Sequence, residues 1–160
     1  MYDGEQRQLK QYLESVQEKQ SAQIILIKED LSHIYAIQKA LSENAFVCMH
    51  ADRFLPGNKT VSGMLLNQPA LFPAGPFILA KAFRVPVSFV FAMKEGPFDY
   101  HFYATPGEIF SGERGSGIQP MLDAYCRAME KSVRKYPLQW FNYFDFWKSE
   151  DPSINETTRR

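Results

Sequence analysis

The chain has 160 residues, of which 45% are hydrophobic and 22% are charged. Lys and Arg number 18, as do Asp and Glu, so the formal net charge is zero, which argues against a general nucleic-acid binder. This apolar content at zero net charge excludes disorder as the main state. The length predicts a single domain, which we expect to span residues 1–148, with residues 149–160 as a polar, frayed tail.

Several classes of protein are excluded by patterns that the sequence lacks. It has no run of about 18 apolar residues, the length that a membrane-spanning helix needs, and its first residues have no signal-peptide core. Cys48 and Cys126 cannot form a disulfide framework and do not have the spacing of a metal site, so a reducing compartment fits best. No G-x-S-x-G elbow, phosphate-binding loop or dinucleotide fingerprint is present.

The first part of the chain predicts a strand–helix–strand unit. An amphipathic helix over residues 3–19 precedes the apolar run of residues 24–27, which is typical of a buried strand. Asp30 can cap a second helix that runs to about Ser42, and residues 45–49 form a second apolar run. Because these elements follow each other closely, we expect two parallel strands joined by a right-handed crossover.

Polar residues follow the second of these strands. Open α/β sheets bind ligands at the carboxyl edge of their parallel strands. His50, Asp52 and Arg53 place a base, an acid and a cation at that edge, which indicates a functional site. The alternative is a polar cluster that stabilises the loop through backbone hydrogen bonds. His33 and His101 fall in the middle of a helix and a strand, and we expect structural roles for both.

The middle of the chain alternates extended and helical segments. Residues 60–66 are typical of an extended segment, and the break at residues 73–76 is expected to begin an apolar helix. Residues 87–92 predict a buried strand, with residues 100–104 as its antiparallel neighbour.

The clearest helix of the sequence spans residues 118–135 and ends at Pro137. Its polar side predicts the ion pairs Asp123–Arg127 and Glu130–Arg134. Its apolar face consists of Ile118, Leu122, Tyr125, Met129 and Val133. The aromatic residues 140–147 that follow are expected in the core, with a membrane-interface belt or a partner surface as alternatives.

Charge is unevenly distributed along the chain, because residues 53–94 contain no acid. Five basic residues lie in this stretch, namely Arg53, Lys59, Lys81, Arg84 and Lys94. They predict a positive field that suits an anionic ligand. The alternative is chance, together with a buried strand and helix that exclude acids in any case. Gly75 and Pro76 begin a helix whose free N–H groups can hold a carboxylate or a phosphate. A simple strand-to-helix turn is the alternative there.

Three segments occur in a recognisable order: "CMHADRFLPGN", "FPAGPFILAKAFRVPVSFVFA" and, after a regular helix, "YPLQWFNYFDFW". This order resembles the C-terminal half of the lipid A biosynthesis (late) acyltransferase family over most of residues 1–148. The resemblance implies an α/β fold with a mixed, mainly parallel sheet flanked by helices, here an incomplete acyltransferase α/β sandwich. It also implies a peripheral protein on the cytoplasmic face of the bacterial inner membrane.

The resemblance further implies transfer of a fatty acyl chain from an acyl carrier protein or coenzyme A thioester to a hydroxyl of a lipid acceptor, with no cofactor. In the family, a His-x4-Asp/Glu motif supplies the general base and the acid that orients it. No histidine of this chain has an acid five positions on. We therefore expect the motif in an N-terminal half, Met1 to be an internal methionine, and the chain alone to be inactive. The expected partner of this chain is either that N-terminal half or a second copy of the chain, which would complete the acyltransferase fold.

The resemblance gives the residues of this chain binding roles. Asp52 matches the acidic turn of the family and would hold the acceptor, while the cations would meet an anionic head group or phosphopantetheine. The expected substrate-binding residues are Asp52, Arg53, Lys59, Gly75 and Arg84. His50 beside Asp52 is the one alternative as a catalytic base. The rival functions are a non-catalytic module of the same fold that binds a partner or a membrane, and a hydrolase that uses His50 and Asp52.

Overall fold

The structure is a computed structural model that describes residues 23–27, 30–54, 57–110, 117–142 and 146–147. It divides the chain into two compact units, Met1–Cys48 and Met49–Arg160. The expected helix over residues 3–19 and the expected tail over residues 149–160 lie outside the described residues. In the described ranges, no helix is both long enough and apolar enough to span a membrane.

The first unit contains helix α1 (Ser32–Ser42), as the sequence predicts. The Asp30 carboxylate accepts a hydrogen bond from the Ser32 N–H at 3.0 Å, which satisfies one of the free donors at the start of the helix. The helix buries Ile37. Its last carbonyls accept bonds from the Glu43 and Asn44 N–H groups, and Asn44 takes a φ of 59°, a left-handed conformation that often follows a helix end.

The structure corrects the predicted parallel pair of strands. Neither residues 24–27 nor residues 45–49 form a strand. Parallel strands are stable when both faces are covered and a neighbour completes the ladder. Here the side chains of Ile27 and Phe46 are 84% and 99% exposed, and no described strand pairs with either run. The described residues therefore combine helices with small antiparallel sheets, and a mainly parallel sheet is not supported.

The second unit begins with the hairpin of β1 (Thr60–Leu65) and β2 (Gln68–Pro73). Leu66 and Asn67 connect the strands, and both have positive φ, 52° and 65°, as a two-residue hairpin turn requires. The sequence predicts β1, whereas β2 was not expected as a strand. The two prolines of β2 argue against a strand in sequence, but a two-stranded sheet has an open edge that tolerates them.

Helix α2 (Ala74–Phe83) follows β2 without a loop, with Pro76 in its first turn. It ends at Arg84, whose φ is 53°. The chain then forms the antiparallel hairpin of β3 (Val90–Lys94) and β4 (Tyr100–Ala104). This confirms the predicted antiparallel neighbour, with β3 shifted toward the carboxyl side of its predicted range.

Helix α3 (Gln119–Lys135) packs on the β1–β2 hairpin and supplies much of the core of the second unit. Its predicted apolar face is confirmed. Leu122, Tyr125 and Met129 are buried, while Ile118 and Val133 pack against the core. The buried core consists of Leu65, Ala70, Phe72, Phe77, Met121, Leu122, Tyr125, Cys126, Met129 and Phe146.

The predicted polar side of α3 is confirmed in part. Arg134 donates to Glu130 at 2.6 Å, as expected for residues one turn apart. Asp123 instead accepts a hydrogen bond from the Gln119 amide at 2.8 Å, and no ion pair joins it to Arg127 among the described residues. Gln119 lies one turn earlier on the same face and competes for the same carboxylate.

The chain after α3 returns to the core. A short 3₁₀ turn (Pro137–Gln139) follows the helix. Trp140 then packs against the core and Phe146 is buried within it, which confirms the core interpretation for these two aromatic residues. Phe141 is exposed. Residues 143–145 lie outside the described ranges.

Candidate functional site

The acidic turn that precedes β1 carries the Asp52–Arg53 pair. The Arg53 Nε atom lies 3.6 Å from the Asp52 carboxylate, and the two side chains are 66% and 25% exposed. A pair this accessible contributes little to stability. The guanidinium therefore keeps most of its donors in water, where they can bind an anionic group.

His50 does not complete a catalytic dyad in this structure. Its side chain is exposed, and within the described part of the chain no hydrogen bond or ion pair joins it to Asp52. Asp52 makes its ion pair with Arg53 instead. A general base needs a partner that fixes its tautomer and orientation, and this arrangement does not supply one.

Tyr125 lies near Asp52 of this turn. From the sequence it was expected only as part of the apolar face of α3. Burial raises its pKa above its ordinary value, and the nearby Asp52 carboxylate raises it further. The phenol is therefore neutral at physiological pH. The one signal in the sequence is that Tyr125 alone carries a hydroxyl among the residues of that face.

Aromatic rings surround the Tyr125 ring on several sides. The rings of Phe72 and Phe77 approach it edge-on, with centroids 5.9 Å and 5.8 Å away. Phe89 lies 5.2 Å away, and the Phe91 ring stacks at 6.3 Å. Such offset and edge-to-face pairs fix a ring in position. Phe77 belongs to the first turn of α2, so Tyr125 connects the neighbourhood of Asp52 with the start of that helix.

The structure brings Lys59 and the start of α2 together. The Ala74 N–H donates to the Lys59 carbonyl at 2.9 Å, which places Lys59 beside Gly75. Gly75 is exposed, and a Cβ atom added there would meet nothing within 4 Å. The Ala74 N–H is already bonded and Pro76 has no N–H, so of the first three residues of α2 only Gly75 can offer an N–H to a ligand.

Arg84 is separated from these residues. It follows the last residue of α2, whose 10 residues span about 15 Å, so it lies at the opposite end of the helix from Gly75. Lys81, in the last turn, donates to the Gly117 carbonyl. The structure therefore groups Asp52 with Arg53 and Lys59 with Gly75, and leaves Arg84 apart from the second pair.

Cys126 does not have the features of an activated nucleophile. Burial raises the pKa of Cys126 to about 11, so its sulfur remains a thiol. Cys48 is exposed. Among the described residues, no group of three or more His, Cys, Asp or Glu side chains could hold a metal ion.

A second polar cluster joins the end of the β3–β4 hairpin to the end of α3. One oxygen of the Glu95 carboxylate accepts from the Tyr103 hydroxyl at 2.7 Å and from the Tyr136 hydroxyl at 2.6 Å. The Lys135 ammonium lies 4.8 Å from the centre of each tyrosine ring. The other Glu95 oxygen lies 3.6 Å from His101.

This Glu95 cluster consists of Glu95, His101, Tyr103, Lys135 and Tyr136. Hydrogen bonds from Tyr136 and Tyr103 lower the pKa of Glu95, so the carboxylate is charged at neutral pH. The cluster is not visible in the sequence, because its members come from a hairpin and a helix end that are distant in the chain. No catalytic geometry is evident in it, and every member has a partner.

Comparison with models of protein families, with curated proteins and with solved structures finds no significant match to this chain.

Proposed function

We propose that the chain is the C-terminal, acceptor-side portion of a membrane-associated acyltransferase of the lipid A biosynthesis type. Support comes from one observation: the three segments that carry the family resemblance contribute to one core. Ala51 precedes the acidic turn and packs against that core, Phe72 and Phe77 flank the start of α2, and Trp140 and Phe146 close it. The resemblance requires the three segments to belong to one folded unit, and their shared core agrees with that.

In this proposal the acidic turn and the start of α2 form the acceptor side of the site. Arg53 offers an accessible guanidinium that can bind a phosphate of the lipid head group through paired hydrogen bonds. Lys59 and the Gly75 N–H add positive potential nearby. Asp52 orients Arg53 through their ion pair. Arg84 lies at the far end of α2 and contacts a different part of the ligand, such as phosphopantetheine.

The catalytic base belongs to the N-terminal half in this proposal, in a His-x4-Asp/Glu motif. The histidine removes the proton of the acceptor hydroxyl, and the oxygen attacks the thioester carbonyl. The carbon–sulfur bond then breaks, and the thiol of the acyl carrier protein or coenzyme A leaves with that proton. The proposal also includes the mainly parallel sheet of the acyltransferase fold. In it, residues 24–27 and 45–49 become strands once the N-terminal half covers them.

The experiment is an acyl-transfer assay on the chain combined with an N-terminal acyltransferase portion that carries the His-x4-Asp motif. Acyl carrier protein thioester and a lipid A precursor serve as substrates. We expect Arg53→Ala to raise the acceptor KM by about tenfold, the effect of losing one partly solvated, charge-assisted contact. The matched control is Arg127→Ala, which removes an exposed arginine of α3 and should leave the KM unchanged.

Two outcomes count against this assignment. If Arg53→Ala lowers the melting temperature and leaves the KM unchanged, Arg53 is structural. If the combined protein transfers no acyl group and the chain binds vesicles of anionic phospholipid, the chain is instead a membrane-binding module. Exposed aromatic side chains of the β3–β4 hairpin favour that second candidate, because Phe98 and Phe102 are 93% and 68% exposed, and aromatic residues bind at membrane interfaces.

A further inference from the structure

The Tyr125 hydroxyl is a polar group in the apolar core of the second unit. Tyr125 is only 8% exposed, and within the described ranges no hydrogen bond joins its hydroxyl to a protein group. Buried hydroxyl groups are nearly always hydrogen-bonded, because their removal from water costs free energy. The fold thus keeps a costly donor at this position without using it, which indicates a role in binding a ligand.

The packing around Tyr125 holds its ring in one orientation. The ring centroids of Phe72, Phe77, Phe89 and Phe91 lie between 5.2 Å and 6.3 Å from that of Tyr125. A ring packed on these sides cannot turn to find another partner, and phenylalanine rings offer it no oxygen or nitrogen acceptor. The hydroxyl oxygen is therefore fixed in position, while its hydrogen can rotate toward a ligand.

The acidic turn lies near this hydroxyl. Ala51 packs against the core that contains Tyr125, and the adjacent Asp52 carboxylate acts electrostatically on the phenol. The Asp52 side chain is 25% exposed and pairs with Arg53 at 3.6 Å, which is too long for a hydrogen bond. Burial and this carboxylate raise the pKa of Tyr125. The phenol therefore remains a donor, and Asp52 is an acceptor beside it.

We propose that Tyr125 and Asp52 together bind one hydroxyl group of the ligand. Tyr125 donates to the oxygen of that hydroxyl, and Asp52 accepts its hydrogen. An alcohol fits this pair because it both accepts and donates, whereas a phosphate is repelled by the carboxylate. The inference rests on the proposed function, in which Arg53 binds a phosphate of the same ligand. It adds that this ligand is a phosphorylated alcohol, as a sugar phosphate is.

A hydroxyl that serves a ligand has a distinct effect on stability. Tyr125→Phe removes the hydroxyl and keeps the ring packing. Because the hydroxyl has no hydrogen bond among the described residues, the melting temperature of this variant should be unchanged or higher. Tyr136 provides the contrast, since its hydroxyl donates to Glu95 at 2.6 Å. Tyr136→Phe should therefore lower the melting temperature, and the two variants separate a structural hydroxyl from a binding one.

The test is a calorimetric titration of the full chain with two probes, glucose 1-phosphate and cyclohexyl phosphate. Both are phosphate esters of a six-membered ring, and only the first carries hydroxyl groups. We expect the parent chain to bind glucose 1-phosphate about fivefold more tightly, the effect of one further hydrogen-bonded group. Tyr125→Phe should lose this preference and retain its affinity for cyclohexyl phosphate. Tyr136→Phe is the matched control and should keep the preference.

Three results overturn the proposed pair: no binding of either probe to the parent chain, equal affinity for both probes, or a preference that survives in Tyr125→Phe. A preference for glucose 1-phosphate that Tyr125→Phe abolishes supports the pair even if the combined protein transfers no acyl group, and only the acyltransferase proposal then fails. Acyl transfer by the combined protein together with equal affinity for the two probes has the opposite meaning.

Discussion

Glu95 holds two phenols through one carboxylate oxygen and faces His101 with the other. Lys135 covers both tyrosine rings, and hydrogen bonds with Tyr136 and Tyr103 raise its pKa. These contacts connect the turn end of the β3–β4 hairpin to the last turn of α3. The Glu95 carboxylate is the common acceptor of both phenols. The Glu95 cluster therefore depends on the negative charge of this carboxylate.

We expect Glu95→Gln to lower the melting temperature at neutral pH, because a neutral amide accepts hydrogen bonds from the phenols less strongly. The pKa of Glu95 is lower in the folded state. Its contribution to stability is therefore fully present above the unfolded pKa and is lost as the pH falls through the folded pKa. Thermal unfolding measured from pH 7 into the acid range should show the two melting temperatures converging below the ordinary pKa of Glu, about 4.3.

Glu108→Gln is the control for this prediction, since Glu108 is also exposed and contacts Val87 through its backbone. It should leave the melting temperature nearly unchanged across the same range. A Glu95→Gln difference that persists with constant size at acid pH would mean that shape, and not charge, holds the Glu95 cluster together.

At the scale of elements, α3 packs directly against β1 at Gly63. A Cβ atom built on Gly63 would lie 2.8 Å from the Cys126 sulfur and 3.1 Å from two Leu122 carbons. Only a residue without a side chain permits this approach of helix to strand. The glycine thus determines how deeply α3 packs on the β1–β2 hairpin.

We expect Gly63→Ala to reduce the free energy of unfolding by about 1–3 kcal/mol, because the added methyl group overpacks the contact. Gly75→Ala is the matched control. A Cβ atom there meets nothing, and Ala is the better helix former, so stability should be unchanged or slightly higher. Urea denaturation measures both, and the double variant Gly63→Ala with Cys126→Ala should recover part of the loss. If Gly63→Ala is as stable as the parent chain, α3 can move away from β1 without loss of stability, and Gly63 does not determine their packing.

At the scale of the whole molecule, both units expose apolar side chains, and the described core lies mostly in the second unit. The second unit has an aromatic core that is closed by Phe146. In the first unit, the apolar side chains of Ile24, Leu26, Ile27 and Phe46 are exposed. Large exposed apolar surface commonly marks an interaction site. This agrees with the proposal that a further portion of an acyltransferase completes the protein.

We therefore expect the purified chain alone to show no acyl transfer from acyl carrier protein thioester to a lipid A precursor. A hydroxyl acceptor needs a positioned base to attack a thioester at a useful rate, and His50 has no bond to Asp52 among the described residues. His50→Ala is the control. Turnover that disappears in this variant would make His50 the catalytic base and contradict the proposed division of the protein.

The sequence anticipated elements whose signals are local. The helical periodicity of α1 and α3 and the proline break before α2 determine those helices, because backbone conformation and side-chain spacing act within a few residues. The candidate residues Asp52 and Arg53 were found in the same way, since polar residues that follow an apolar run are visible without coordinates. Their assignment to an acceptor site remains a prediction.

Only the tertiary structure decided which elements pair and which distant residues meet. The apolar runs of residues 24–27 and 45–49 have the composition of strands, yet a strand also needs a hydrogen-bonded neighbour, and composition does not specify one. Tyr125 beside Asp52, and Glu95 between Tyr103 and Tyr136, depend on the packing of α3 against two hairpins. The sequence by itself determined the local conformation of most elements, because that conformation depends on near neighbours. Pairing and contacts between distant residues depend on which surfaces the folded chain buries, and the tertiary structure alone decides that.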